Sequence, residues 1–464
     1  MLAHAPRALG RWARRSFARF IVHKDGKPRS WVRKLLFHAD GRPRGPVGFL
    51  VQPSDGAPRR KFHRHPLLRR VSRDAAMAGA FVAMPTARRE RIILIADNFL
   101  PLHDQQSGGL RLKTLIQMLG KQNRSMIFVS LAAKAKLPGV LASALGRGRY
   151  ECVLRDAGVV GFVYGKSELE SWLKAEGARV RFAFLSFPNV ARDLLPLVRQ
   201  YCPCATAIYD MVDFHSLRMQ REAQLNGDPT LACDAAEMQA LEISLAEAAD
   251  ITIAVSDDEK GALLALAPSA VIDVLPNIFE LPAAPPPGPQ GRRDVLFLGG
   301  FWHKANGDAV AWFVREIWPR ILAEAPGCRF LIAGSNPGPD VVALAAAANV
   351  EVLGYVESLG PLYDAARVCV APLRFGAGIK GKVGQSMAYG LPVVATTIGG
   401  EGMRLRDGEH LFIADDPEIF ARRVVDLLKE DALWRAIQTK ARAFVESHFS
   451  VTALSDKVDA LFND

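Results

Sequence analysis

The chain has 464 residues, enough for two or three domains that each bury a core, and its 49% hydrophobic and 23% charged content is that of a folded soluble protein. The formal net charge of +11 is confined to one end: residues 1–89 hold 21 Lys and Arg against 4 Asp, which leaves 38 basic against 44 acidic residues in the remainder. The basic character therefore belongs to an extension and says nothing about the ligand of the main body, and no run of eighteen or more uncharged apolar residues is present to cross a membrane as a helix.

The first twenty residues, MLAHAPRALGRWARRSFARF, carry arginines throughout and no uninterrupted apolar core, so they do not read as a secretory signal. The expected location is the cytoplasm. Residues 25–29, 40–44 and 55–59 repeat Asp-Gly-x-Pro-Arg at a spacing of 15 residues. Asp-Gly is a tight-turn signal, and apolar residues lie between the turns, so one reading is a short β-meander. The other is a basic arm punctuated by turns. Either suits an anionic membrane surface or an acidic partner, and the first extends the expected location to the inner face of the cell membrane; no nucleic-acid-reading module is visible in it. The six cysteines are dispersed, and Cys202-Pro-Cys204 lacks a second pair of soft ligands nearby, so reduced thiols and no metal site are expected.

From residue 90 the texture becomes strands alternating with amphipathic helices. Residues 92–96, 126–131, 159–164, 182–187, 205–212 and 251–255 are strand candidates, with helices predicted over 110–119, 191–200 and 235–248. This alternation predicts a first doubly wound domain over residues 90–278. Residues 279–293, FELPAAPPPGPQGRR, read as a linker. The pattern then restarts with strands at 295–298, 330–333, 350–353, 368–372 and 392–396 and a helix over 308–323, which predicts a second such domain over 294–447, closed by a C-terminal helix at 448–464. The fold class is therefore α/β, with two Rossmann-like domains facing a cleft behind a basic extension.

Residues 368–403 carry most of the chemistry. A buried strand runs into Gly376, Gly378 and Gly381 with Arg374, Lys380 and Lys382 among them, a loop whose backbone can approach a phosphate closely while cations gather around it. A helix to Ala388 and a second strand, over 392–398, lead to Gly399-Gly400-Glu401. The glycines also match the dinucleotide fingerprint, with Glu401 twenty residues beyond the last, so a dehydrogenase is an alternative. Its place in the fourth strand of its domain and its two lysines favour a phosphate loop of another kind.

The stretch PLRFGAGIKGKVGQSMAYGLPVVATTIGGEGM resembles the donor-binding half of GT-B glycosyltransferases of the family 4 type, and LPLHDQQSGGLRLKTLIQML and IYDMVDFHSLRMQRE are similar to that family's first domain. The resemblance covers residues 90–464. It implies transfer of a sugar from a nucleotide-sugar donor to a glycan, polysaccharide or lipid-linked acceptor, with retention of configuration and no cofactor or essential metal. A sugar-nucleotide epimerase and a catalytically degenerate sugar-nucleotide-binding protein are the alternatives on the same fold.

The resemblance places Arg374, Gly378, Lys380 and Lys382 on the diphosphate, Gly399, Gly400 and Glu401 near the sugar hydroxyls, Tyr355 near the base and Lys304 near the phosphates. His215 or Asp213, at the end of a strand, would contact the donor sugar, and Ser107, Gly108 and Gly109 would form an acceptor or phosphate loop. Arg218, Arg221 and Glu222 follow at helical spacing and read as a solvated helix face. Two departures stand out. Where the family has two glutamates eight positions apart, this chain has Ala377 and Gln385, and Gln385 can bond a ribose hydroxyl but supplies no charge. The family's Arg and Lys after the first strand of the second domain are reduced to Lys304.

Overall fold

A computed structural model describes residues 91–122 and 124–463; the basic extension, with its repeats and its expected membrane contact, lies outside them. The first sheet holds seven parallel strands: β1 (Ile92–Asp97), β2 (Ser125–Ser130), β3 (Val159–Tyr164), β4 (Val180–Ser186), β5 (Thr206–Asp210), β6 (Ile251–Ala254) and β7 (Ile272–Val274). Their order is β3-β2-β1-β4-β5-β6-β7. The second sheet comprises β8 (Asp294–Leu298), β9 (Phe330–Ala333), β10 (Val350–Gly354), β11 (Ala366–Ala371), β12 (Val393–Ala395) and β13 (Phe412–Ile413), in the order β10-β9-β8-β11-β12-β13. Both are therefore Rossmann-like. Continuous apolar runs such as β1 and β11 are buried along their whole length because helices cover both faces.

Helices that bear on the site are α1 (Ser107–Gly120), α2 (His215–Asn226), α3 (Asp257–Leu266), α4 (Lys304–Trp312), α5 (Gly381–Ala388), α6 (Asp431–Phe449) and α7 (Ser455–Leu461). The helix expected over 308–323 starts four residues earlier, at Lys304, and passes through a π stretch, Phe313–Ile317, before Trp318–Glu324. Pro319 has no N–H to give to the turn before it, and the ladder loosens there. The strand expected over 392–398 ends at Ala395, because Thr396 caps a short helix, Thr397–Gly400.

In each sheet the strand order reverses beside the first strand, between β1 and β4 and between β8 and β11, so each domain opens a crevice at the carboxyl ends of those strands. The chain crosses between domains twice. Phe279 N–H donates to Phe449 O at 2.8 Å and Phe279 bridges Ser450, so the two crossings run side by side. After α6 the tail returns to the first domain, where Leu454, Val458, Leu461 and Phe462 complete its core and the Phe462 ring meets Phe182 and Phe184 at 5.5 and 5.9 Å.

Candidate active site

The site begins where β5 ends. Val212, at φ +63, and Phe187 after β4, at φ +79, are non-glycine residues in the left-handed region, a strained backbone that holds only where the surroundings impose it. Beyond Val212 the chain passes Asp213 and starts α2 at His215. No side chain of its own caps that helix. Instead the fully buried Glu242 carboxylate accepts from His215 N–H at 2.8 Å and Ser216 N–H at 3.1 Å, an anion on a helix N-terminus. His215 Nδ1 lies 2.8 Å from Asp213 O and 3.5 Å from Glu242, with the Phe187 ring edge-on. Burial lowers the imidazole's pKa, but Glu242 and Asp213 outweigh it and hold it above the ordinary value.

Asp213 accepts from Arg218 Nε at 2.8 Å through one carboxylate oxygen; the other, Oδ1, is buried with no hydrogen-bond partner. Burial favours its neutral form, yet His215, Arg218 and Lys380 hold it below the usual carboxylate range. Glu259 stands beside it on the first turn of α3, where Ser256 Oγ accepts its N–H. Its carboxylate accepts from Phe214 and Val255 N–H, and burial, aided by Asp213, raises its pKa to about 7.

A raised carboxyl ionises earlier in the unfolded chain, so the folded state's proton affinity stabilises it below the ordinary value near 4.5 and that contribution is lost as pH rises to about 7. The loss is about 3 kcal/mol by linkage. His215, raised from 6.5, acts with the same sign over the next stretch of pH. E259Q is therefore expected to flatten the fall in Tm between pH 5 and 8; an unchanged slope would contradict this placement of Glu259.

The second domain meets this cluster with its glycine loop. Gly378 adopts φ +61, and a Cβ there would stand 3.1 Å from both Glu259 Oε1 and Val255 Cγ2 and 3.6 Å from Asp213 Oδ1, so only glycine fits. Ala377 is buried among the first domain's apolar residues. Lys380 Nζ donates to Ala377 O at 2.8 Å, Gly378 O at 2.7 Å and Glu401 Oε1 at 2.9 Å. Burial lowers its pKa against the pull of Glu401. Arg221, from α2, reaches across to Gly376 O at 2.6 Å and to both Glu401 oxygens at 2.8 and 2.9 Å.

Two helix N-termini converge beside this loop. Neither α1 nor α5 has a side-chain cap, and a Cβ on Gly381 would come within 2.4 Å of Ser107 Cβ. Two neighbouring helix N-termini without side-chain caps make this an anion-favouring corner.

Several expected site residues are placed otherwise. Arg374 makes a two-pronged contact with Asp308 on α4, so its guanidinium is paired within its own domain. Lys382 is enclosed, its amine on Asn306 and over the Phe297 ring at 4.2 Å, and burial lowers its pKa to about 7. The Gly399 and Gly400 amides donate to Thr396 Oγ1 and O at 3.0 and 2.9 Å, inside their own turn, so they are not held for sugar hydroxyls. Gly399 is instead a packing residue: a Cβ would stand 2.1 Å from Ala371 O. Ser107, Gly108 and Gly109 are the first turn of α1, not a loop before it.

Tyr355 donates its hydroxyl to Asp104 Oδ2 of the first domain at 2.7 Å. Lys304 also reaches across, to Glu222 at 3.3 Å, and Gln385 is half-buried one turn into α5. Arg218, Arg221 and Glu222 are not a solvated face: all three pair with residues of the cleft. Glu259 and His303 were missed. The serine-x-x-glutamate capping pattern at 256–259 was legible, but its carboxylate's aim was not. His303 is the N-cap residue of α4 but makes no capping bond through its side chain; desolvation by its neighbours and then Arg218 lower its imidazole while Asp213 opposes them.

Residues 292–430 match the family described as glycosyl transferases group 1. The C-terminal domain is a group 1 glycosyltransferase domain. Around it, the whole two-domain body has the GT-B fold: it superposes on a sucrose-phosphate synthase from Thermosynechococcus elongatus with TM-score 0.62 at 18% identity, over 80% of this chain and 98% of that one. Anabaena HepE in complex with UDP and glucose gives TM-score 0.59 at 14% identity, over 80% and 99%. An uncharacterised 44.6 kDa protein in the cps region of Klebsiella pneumoniae is 27% identical over 164 residues, 34% of this chain, and the match spans 42% of that relative's length. The group 1 domain contains the glycine loop, Lys380, α5 and Glu401. The facing cluster of Asp213, His215, Arg221 and Glu259 lies outside the matched residues.

Proposed function

We propose that the chain is a glycosyltransferase that moves a sugar from a nucleotide-sugar donor to a glycan, polysaccharide or lipid-linked acceptor. The observation that carries this reading is the meeting of the uncapped α5 N-terminus and Lys380 with Asp213 and His215 across one cleft. A departing nucleoside diphosphate accumulates negative charge as the glycosidic bond breaks, and fixed N–H dipoles and an ammonium stabilise it without rearrangement. No metal is required of such a site, and the nucleotide-sugar is a substrate rather than a cofactor. In this reading His215, oriented through Nδ1, and Asp213 contact the sugar, and retention of configuration follows the family resemblance. Gln385 offers an amide to the ribose. The relative from the cps region directs the acceptor toward a polysaccharide.

The test is a thermal-stability titration with UDP-, GDP- and dTDP-sugars, since a ligand that binds only the folded state raises Tm, followed by turnover with acceptors. No response to any nucleotide or sugar nucleotide would sink the reading, and a response to NAD alone would replace it with the dehydrogenase.

Among the described residues no helix is long and apolar enough to cross a membrane. The extension's 21 basic against 4 acidic residues support peripheral contact with an anionic surface at the inner face of the cell membrane. Binding to phosphatidylserine vesicles is expected to fall steeply with salt and to vanish when residues 1–88 are deleted; binding that survives the deletion would exclude this role.

A further inference from the structure

We propose, resting on the donor site described above, that Glu401 is a positioning residue: an exchangeable counter-ion that occupies Lys380 and is carried over to Arg221 when a diphosphate arrives. An ammonium has three N–H donors. Those of Lys380 are committed to Ala377 O, Gly378 O and Glu401 Oε1, so a phosphate oxygen reaches this nitrogen only by replacing one of the three. The two carbonyls belong to the loop that shapes the site and cannot leave without unmaking it. Glu401 can leave, because Arg221 already holds both of its oxygens at 2.8 and 2.9 Å and keeps the carboxylate paired after Lys380 lets go. Arg221 also holds Gly376 O at 2.6 Å, so the cation that receives Glu401 stays on the same loop as Lys380. The sequence assigns Glu401 to the sugar hydroxyls; the geometry instead gives it the place of the incoming anion.

The two roles separate with a probe that carries no sugar. For a counter-ion, E401Q removes the competing charge, and UDP, GDP or inorganic pyrophosphate binds on the order of fivefold tighter by calorimetry. R221M, which strands Glu401 on Lys380, binds them more weakly. If Glu401 were a sugar ligand, E401Q would leave UDP unchanged and weaken only UDP-sugar, and that result overturns the proposal. A readout independent of any nucleotide is acetylation of Lys380 by acetic anhydride, followed by mass spectrometry on the full chain. Loss of Glu401 lowers the ammonium's proton affinity and frees its nitrogen, so E401Q is expected to label several-fold faster than the parent while Lys440 labels at an unchanged rate. Equal labelling of Lys380 overturns the proposal even if the chain binds no nucleotide, whereas faster labelling without nucleotide binding would count against the donor site alone.

Discussion

Replacement of Lys380 by methionine is expected to lower kcat/KM for the nucleotide-sugar by about 100-fold or more, the usual consequence of deleting one preorganised charge at a developing anion. The effect rests on position rather than on charge count. Of the three cations in the glycine loop, Arg374 is matched by Asp308 and Lys382 is enclosed with Asn306, which leaves Lys380 as the one beside Asp213 and the first domain. Methionine keeps the stem, so the apolar packing is retained and Glu401 remains paired with Arg221. Arginine is not expected to restore activity, because a planar fork cannot reproduce three donors spread from one nitrogen. Steady-state kinetics beside UDP binding checks this: both must fall together, with Tm changed by only a few degrees. Turnover within threefold of the parent would show that the α5 N–H groups suffice.

The second large effect concerns stability. Arg111 and Asp210 form a buried ion pair at 2.8 Å, at 2% and 0% exposure, and Arg111 also donates to Leu275 O at 2.9 Å. Ser186 Oγ donates to the same Asp210 oxygen at 3.1 Å, while the other oxygen has no partner. Nearby, burial raises the Asp97 carboxyl to about 7, with Asp210 adding to the rise. R111M leaves Asp210 charged, buried and uncompensated beside Asp97, which costs about 3–5 kcal/mol. Adding D210N removes the stranded charge and is expected to recover a large part of that loss, so the pair of substitutions is less damaging than their sum. Urea unfolding of the two single variants and the double variant closes the cycle. A loss below about 1 kcal/mol for R111M, or strict additivity, would show that the pair is not coupled as its geometry states. The pair joins α1 to the end of β5 and to residues 275–276 before the crossing, so its loss is felt in the first domain's wall of the cleft.

Much of the body was legible because parallel sheets covered on both faces write their strands as short unbroken apolar runs, and residues 92–96, 159–164 and 330–333 are found where those runs stand. β7 and β13, edge strands of three and two residues, were not legible: no periodicity can be read from so few positions. The expected strand over 392–398 overran because Thr396 looks like a β-branched strand residue until its hydroxyl is seen accepting the Gly399 N–H.

At the site, the glycine loop announced itself through residues that only a tight, ligand-approaching backbone needs. The sequence by itself thus determined two doubly wound domains, a basic extension apart from them, and a cationic glycine loop at the end of a buried strand. Only the tertiary structure decided which cation faces the cleft. Arg374 and Lys380 are equivalent in sequence, but Asp308 meets one from 66 residues away and Glu401 the other, itself held by an arginine 180 residues distant. Charge pairing acts over a few ångströms of space and carries no trace in chain separation, so the partners of these groups are set by how the two sheets bring their loop ends together.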